Sequence, residues 1–485
     1  MEAVAKEIAD RLRSVPAVKI VTHIDADGIS GGAIASEALA RAAIEHEVAF
    51  VKKLDEAALV SLKREGPSLV WFVDLGAGIL HALHGLDAVI TDHHVPTERD
   101  VPKAFREDLV RFSQSLDRVL MLNPHLDGSG SDVASGAGCA YAVARALDPK
   151  NADLAAIAIV GAVGDVQDLE HRRLVGYNRT ILEEGTAAGV VAASIDLRLF
   201  GRETRPVHKM LEYASDPWIP RLTGNGEASI AFLLEQGIDL KTGDTWRSWS
   251  DLDGGEKQRV VSALVSHMLE RGCGADSVDR LLGEVYTLVR EPRGSPTRDA
   301  KEFGTLINAC GRYDEPEVAY HVCRGDREEN LAKALRLLRG HREYLVDSME
   351  AVLEAGINEM DSIQYFHAAD KIRDTVVGIA ASMALNREAA TKDLPIIAFA
   401  QADDGIKVSA RASRGLVAMG LDLAAIMRAA SKEVGGEGGG HHAAAGATIP
   451  PGAEAKFLEV ANRLVREQLG KPGANPRSES GPENL

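Results

Sequence analysis

The 485-residue chain predicts an α/β protein: a parallel-sheet domain, a mostly helical insertion, and a second, smaller α/β domain. Three observations predict this. Short apolar runs rich in β-branched residues alternate with helical segments through roughly the first 180 residues, the pattern of a doubly wound parallel sheet. Strand-like runs then vanish between Leu197 and His341. A second strand–helix alternation starts at Ser362. A chain of this length exceeds one compact core and divides into domains.

The elements follow in order. Residues 17–22 (AVKIVT) form a short apolar, β-branched run, as a strand buried on both faces requires. A turn with Gly28 follows, then an Ala-rich helix over 30–46. A second strand is expected over 47–51, a helix closing over 61–65, and a third strand over 68–73, ending at Asp74. Residues 88–91 (AVIT) end at Asp92, and 119–122 (VLML) lead into Asn123. Helices over 136–147 and 152–163 complete the domain, the second ending in Gly164-Asp165. The domain boundaries read as 1–196, insertion 197–341, helical connector 342–360, second α/β domain 361–470, and a tail 471–485. Pro, Gly, Ser, Asn and Glu dominate that tail and predict disorder. In the second domain, runs 395–400 and 406–410 flank Asp403-Asp404-Gly405, a hairpin signal. A helix over 421–434 precedes a glycine run at 435–440.

Composition narrows the class. Hydrophobic content of 45% and charged content of 26% suit a soluble globular protein. No run approaches the roughly 18–20 apolar residues that span a bilayer, and the N-terminus lacks the apolar stretch of a signal peptide, so a cytoplasmic protein is expected. Cys139, Cys273, Cys310 and Cys323 contain no C-x-x-C pair and read as reduced, structural cysteines. The net charge of −17 argues against wholesale coating of nucleic acid, though not against a local basic channel.

Chemistry concentrates where the runs end. His23-Ile24-Asp25-Ala26-Asp27-Gly28, Asp74, Asp92-His93-His94 and Gly164-Asp165 supply Asp and His, which bind divalent ions such as Mn²⁺ and Mg²⁺. An isolated Asp at a strand end is more often a helix cap or turn former; the joint pattern carries the weight. His23, Asp25 and Asp27 alternate, so an extended segment directs all three to one side. Neighbouring strands lie roughly 4.8 Å apart, so ligands from adjacent strand ends can surround two metals about 3.5–4 Å apart. Asp74, alone at its strand end, suits the bridging position. Asp25, Asp27, Asp74 and Asp165 balance the charge of two divalent cations, with His23 and His93 as neutral ligands. Such a site binds a phosphate diester and activates water.

The second domain carries another constellation. Ser409 and Arg411 alternate onto one strand face, and Arg offers a planar fork for phosphate. Gly438, Gly439 and Gly440 before His441 are expected to free backbone N–H groups for an anion.

These residues resemble the DHH phosphoesterase superfamily, whose triplet stands here as Asp92-His93-His94. The accessory-domain signature G-G-H-x-x-A-A-G reads here from Gly439 to Gly446. Both domains in this order point to the branch with RecJ exonucleases, nanoRNases and phosphoadenosine-phosphate phosphatases. The long insertion, with Pro217 to Asn225 and Glu302 to Arg312, looks like that of archaeal RecJ-like exonucleases, including the GINS-associated nuclease. The resemblance implies His23, Asp25, Asp27, Asp74, His93 and Asp165 as metal ligands, with Asp92 beside them and His94 on the scissile phosphate; Asp92, His94 and Asp74 form the catalytic set. It implies Ser409, Arg411, Gly439, Gly440, His441 and His442 as phosphate holders. The expected cofactors are two divalent ions, Mn²⁺ preferred and Mg²⁺ acceptable. The expected activity is single-strand exonucleolysis, 5′→3′ on DNA, in replication or repair, with a GINS complex docking on the insertion and no membrane partner. The alternatives are an oligonucleotide phosphatase, a 3′→5′ RNA exonuclease, or a replisome scaffold.

Overall fold

The computed structural model describes residues 1–54, 56–96, 118–128, 130, 132–214, 216–385, 390–391 and 393–470. The tail expected to be disordered, 471–485, lies outside them. The chain forms two compact units, Met1–Leu338 and Arg339–Leu485.

The first unit is built on five parallel strands: β1 (Ala17–His23), β2 (Glu45–Val51), β3 (Val70–Val73), β4 (Ala88–Thr91) and β5 (Val119–Leu122), in the order β2-β1-β3-β4-β5. Every residue of β3 and β4 is buried, which explains their unbroken apolar sequences. Helices Glu2–Arg13, Ala26–Arg41, Gly136–Leu147 and Ala155–Gly164 cover one face, around Trp71, Val73, Ile34 and Tyr141. Helix Glu56–Glu65 and the turn Ala77–Leu83 cover the other through Leu59, Leu62, Leu80 and Phe72. The strand order reverses between β1 and β3, and open α/β sheets bind ligands outside the carboxyl ends at that point.

Two expectations for this unit change. The helix expected over 30–46 begins at Ala26 and ends at Arg41, because the Asp25 side chain caps it by accepting from Gly28 N–H at 2.9 Å. Strands also persist beyond Leu197, where β9 (Leu282–Leu288) pairs antiparallel with β6 (Val191–Leu197), and a small hairpin, β7 (Lys241–Thr242) and β8 (Thr245–Trp246), lies between them in sequence. The alternating burial of β9 is a half-buried strand pattern that its surroundings of helix had obscured.

The segment expected as one insertion over 197–341 divides physically. Val207, Leu211, Phe232, Trp249, Leu264 and their neighbours close a separate apolar core. Helices Ala300–Arg312 and Pro316–Cys323 instead bury Phe303, Leu306, Ile307, Cys310 and Val322 in the core of the parallel sheet. Buried ion pairs Arg198–Asp168 (2.5 Å) and Arg202–Asp299 (3.0 Å) tie the two parts together. Helix Glu329–Ala355 carries the chain into the second unit.

The second unit holds β10 (Asn358–Glu359), β11 (Gln364–Ala369), β12 (Ile396–Ala402), β13 (Gly405–Arg411), β14 (Glu437–Gly440) and β15 (Ala444–Ile449), in the order β10-β11-β12-β13-β15-β14. The β12–β13 hairpin turns at Asp403-Asp404, where it was expected. Helices Leu423–Glu433 and Glu454–Gln468 cover one face, and Val377–Leu385 packs on the other. The glycine run is not a loop: Glu437–Gly440 is an edge strand paired with β15. A Cβ on Gly438 would stand 2.6 Å from the Met427 carbonyl oxygen, so the strand seats against its helix only without side chains there. Among the described residues, no helix is long and apolar enough to cross a membrane.

Candidate metal centre

Chain segments far apart in sequence converge at the carboxyl edge of the parallel sheet. The end of β1 supplies His23, and the following cap and first helical turn supply Asp25 and Asp27. Asp74 follows β3, and Asp92-His93-His94 follow β4. Asp165 comes from the C-terminus of helix Ala155–Gly164 rather than from a strand. Among the described residues, the side-chain donor atoms form three groups, each within 4.8 Å: His23, Asp25 and Asp74; Asp27, His93 and Asp165; and Asp74, His93 and His94.

Asp74 joins the groups. Its Oδ2 lies 3.5 Å from His23 Nδ1, and its Oδ1 lies 3.5 Å from His93 Nε2. His93 Nε2 is also 3.7 Å from Asp27 Oδ2 and 3.6 Å from Asp165 Oδ2. Both Asp74 oxygens are buried without a hydrogen-bond partner among the described residues. A buried carboxylate left in that state is costly, and a cation held by Asp74 and the facing imidazoles would remove the cost. Carboxylate oxygens suit Mn²⁺ and Mg²⁺, and imidazole nitrogens extend the donor set to first-row transition ions. The residues fit divalent metal.

The electrostatics agree. Burial, then the charges of Asp74 and Asp165, push the Asp27 carboxyl well above its ordinary range. Burial, together with Asp74 and Asp25, pushes Asp165 up to about 6 although His93 opposes it. Burial disfavours the charged His93 ring, yet Asp74, Asp165 and Asp27 hold it well above its usual value. Carboxylates and rings that hold protons this tightly mark a place where positive charge is in demand.

Asp92 plays a different part. Its Oδ1 accepts from the backbone N–H of His93 (2.8 Å) and His94 (3.1 Å) and from His94 Nδ1 (2.8 Å), while Oδ2 accepts from Ala77 N–H (2.9 Å). It is spent on aiming His94. Burial opposes the charge on His94, but Asp92 raises the ring to about 9.

Sequence reasoning missed the supports of this centre. Gln167 Nε2 lies 3.2 Å from His93 Nδ1 and donates to Asp165 Oδ2 at 3.1 Å; its Oε1 accepts from Asn178 Nδ2 at 2.6 Å. Its position two residues after Asp165 was the available signal. Asn308 accepts from Ala26 N–H at 2.9 Å, and Gly311 lets its helix lie directly against the Ile24 carbonyl. Helix Ala300–Arg312, expected in the insertion, thus holds the cap and first helical turn that carry Asp25 and Asp27.

In the second unit, Ser409 and Arg411 share a sheet face as expected. Arg411 Nε donates to Ser382 Oγ at 3.1 Å. A Cβ on Gly378, in the first turn of helix Val377–Leu385, would stand 2.5 Å from Arg411 Nη2 and 3.3 Å from Ser409 Oγ. The guanidinium thus faces the positive end of a helix, and partial burial lowers its pKa. Gly439 and Gly446 are paired, and Gly446 pairs with Ser409, so these lie in one row. Gly440 ends β14. His441 donates its N–H to Ala444 O at 2.8 Å in the turn between β14 and β15, while His442 is directed to Asp422 (3.3 Å). His442 therefore does not join the Ser409–Arg411 group.

Residues 199–282 match the DHH-CID domain and residues 362–467 the DHHA1 domain. The chain is 28% identical to an uncharacterised protein of Methanocaldococcus jannaschii over 476 residues, 97% of this chain and 98% of that one. It is 27% identical to the single-stranded-DNA-specific exonuclease RecJ of Thermus thermophilus over 244 residues, 47% of this chain and 34% of RecJ. The match thus spans about a third of RecJ's length. Among solved structures, RecJ of Thermus thermophilus in complex with Mn²⁺ superposes with a TM-score of 0.57 at 19% identity, covering 97% of this chain and 55% of that one. CDC45 of Entamoeba histolytica superposes with a TM-score of 0.63 at 12% identity, covering 96% and 99%. These two share the fold with this chain.

Proposed function

Because the chain belongs to the DHH superfamily of phosphoesterases, in its RecJ-like branch, we propose that it is an exonuclease that hydrolyses single strands from an end, 5′→3′ on DNA, in replication or repair. The products would be 5′-mononucleotides. The observation that carries the reading is Asp74, whose two buried, unpartnered oxygens face separate histidines.

In this reading His23, Asp25 and Asp74 would hold one divalent ion, and Asp27, His93 and Asp165 with Asp74 would hold a second, with Mn²⁺ preferred over Mg²⁺. Bound metal supplies Lewis acidity and lowers the pKa of water. The protein's own groups do the rest. Asp92 aims His94 and keeps it charged, so that it contacts a non-bridging oxygen of the scissile phosphate as charge develops there. In the second unit, Arg411, Ser409 and Ser382, beside the N-terminus of helix Val377–Leu385, receive a phosphate, with Gly439, Gly440 and His441 at the strand edge. A guanidinium facing the N-terminus of a helix favours an anion between them.

For the inserted core we propose a protein-docking role, with a GINS complex as the partner. Its support is the DHH-CID match and the CDC45-like fold. Tyr213, Trp218, Leu234 and Leu269 of that segment are each more than half exposed.

Digestion of 5′- and 3′-labelled single-stranded DNA and RNA with Mn²⁺, scored by product length, tests the nuclease reading. Mononucleotide release from the 5′ end of DNA is expected. Preference for dinucleotides over longer strands would replace it with an oligonucleotide phosphatase, and release from the 3′ end of RNA with an RNA-trimming enzyme. Asp74→Ala is expected to abolish metal-dependent cleavage; near-normal activity would overturn the two-metal arrangement.

A further inference from the structure

Strand β13 places Lys407, Ser409 and Arg411 on one sheet face at alternate positions, about 6.7 Å apart along the chain. Their partners on β15 are Thr448, Gly446 and Ala444, and Gly446 in turn pairs with Gly439 of β14. Beside Ser409 the floor therefore carries no side chain. A Cβ on Gly439 would meet nothing within 4 Å, so the floor is open there. A Cβ on Gly446 would stand 3.9 Å from Lys407 Nζ, so the ammonium leans over this glycine floor. Arg411 stands on the other side of Ser409, held by Ser382. Two cations of different kinds thus flank one hydroxyl: the Ser409 row is bare glycine, while the Lys407 row continues through Thr448 to Glu437 at the sheet edge.

The spacing decides what this arrangement takes. A single phosphate needs one cluster of donors, which Arg411, Ser409 and the helix N-terminus already provide. A second cation displaced along the strand adds affinity only if a second negative group lies displaced along the ligand. Two residues of β-strand cover close to the separation of successive phosphates in an extended nucleic-acid strand. The side-chain-free floor lets a sugar–phosphate backbone lie against the sheet, where a side chain would lift it off.

We propose that Lys407 is a second phosphate subsite, and that the second unit grips two successive phosphates of a strand rather than one terminal phosphate. The inference rests on the nuclease reading and sharpens it: the substrate class is a polynucleotide longer than a dinucleotide, and Lys407 sets the length preference.

The test compares the full chain with Lys407→Met, which keeps the aliphatic stem, and Lys407→Arg, which restores the charge. The ratio of kcat/KM on a single-stranded oligonucleotide of about a dozen residues to that on a 5′-phosphorylated dinucleotide is expected to fall about tenfold in Lys407→Met, through KM, and to recover in Lys407→Arg. In an Asp74→Asn background, fluorescence anisotropy of the same oligonucleotide should show a salt dependence shallower by about one phosphate contact after Lys407→Met. An unchanged length ratio, whether both substrates lose activity or neither does, would overturn the proposal, because Lys407 would then serve the same phosphate as Arg411 or none. If the unaltered protein neither binds nor cleaves the oligonucleotide, the nuclease reading itself fails. If it cleaves the strand and only the Lys407 ratio stays flat, the second subsite alone fails.

Discussion

Gly136 and Asp74 approach so closely that a Cβ on the glycine would stand 2.6 Å from the Asp74 Cβ and 2.7 Å from its Oδ1. Gly136 opens the helix whose first N–H groups, from Gly136 and Ala137, also hold both oxygens of Asp27 at 2.6 and 3.0 Å. One helix N-terminus therefore fixes Asp27 and leaves Asp74 just enough room. Gly136→Ala is expected to displace Asp74, which already sits at φ +60°, and to weaken Mn²⁺ binding about tenfold or more. Isothermal titration with Mn²⁺ checks this; unchanged affinity would show that Asp74 tolerates movement.

Gln167 orients both His93 and Asp165 while Asn178 anchors it. Gln167→Leu removes those contacts without changing a ligand. Loss of such a supporting residue typically costs about 10- to 100-fold in metal affinity. The expected outcome is weaker Mn²⁺ binding in that range, read by the free-Mn²⁺ resonance, with cleavage recovered at saturating metal. Wild-type affinity would show that His93 and Asp165 are held by packing alone.

Glu302 is buried, and burial followed by the charge of Asp299 raises its carboxyl from 4.5 to about 7. It accepts from Glu203 N–H at 2.8 Å and from the Thr204 hydroxyl. A raised folded-state pKa means that the native protein binds this proton more tightly than the unfolded chain. Stability from this residue is therefore fullest below pH 4.5 and is lost as pH rises toward 7. Glu302→Gln keeps the shape and removes the titration. Denaturant unfolding should show the variant gaining up to about 3 kcal/mol relative to wild type between pH 5 and pH 8. A constant difference across that range would refute the shift.

Arg198 N–H donates to Leu281 O at 3.0 Å, so the chain leaves for the inserted core and returns at one place. Replacing residues 207–280 with a short Gly-Ser linker keeps Arg198, Arg202 and Glu203 with their buried partners. It is expected to preserve Mn²⁺ binding while abolishing any docking on that core. Removing 197–341 should unfold the first unit. That deletion strips Phe303, Leu306, Ile307 and Cys310 from the main core, at about 2–5 kcal/mol for each large side chain, against a total stability of about 5–15 kcal/mol. Circular dichroism separates the two outcomes.

The parallel sheet was legible because β3, β4 and β5 are short apolar runs that end in Asp or Asn, and periodicity reports burial directly. The donor residues were legible for a related reason: Asp and His clusters recur at the run ends. Helix Ala300–Arg312 was misplaced in the insertion because an amphipathic pattern shows that a helix has an apolar face, without saying which core receives it. The strand β14 was illegible because glycine has no β preference of its own. Pairing with β15 and the close approach to Met427 impose the conformation. Gln167 was missed because a lone amide carries no pattern; only the fold brings it beside His93.

The reversal of strand order between β1 and β3 gathers donors from positions 23 to 165 to one edge of the sheet. A cation held there cross-links segments that the unfolded chain keeps far apart, so it acts as a non-covalent staple on folding as well as a reagent. At a free concentration 100 times its dissociation constant, one bound ion adds about 2.7 kcal/mol to the stability of the folded form. A chelator should then lower the melting transition of Met1–Leu338 and leave that of Arg339–Leu485 where it was.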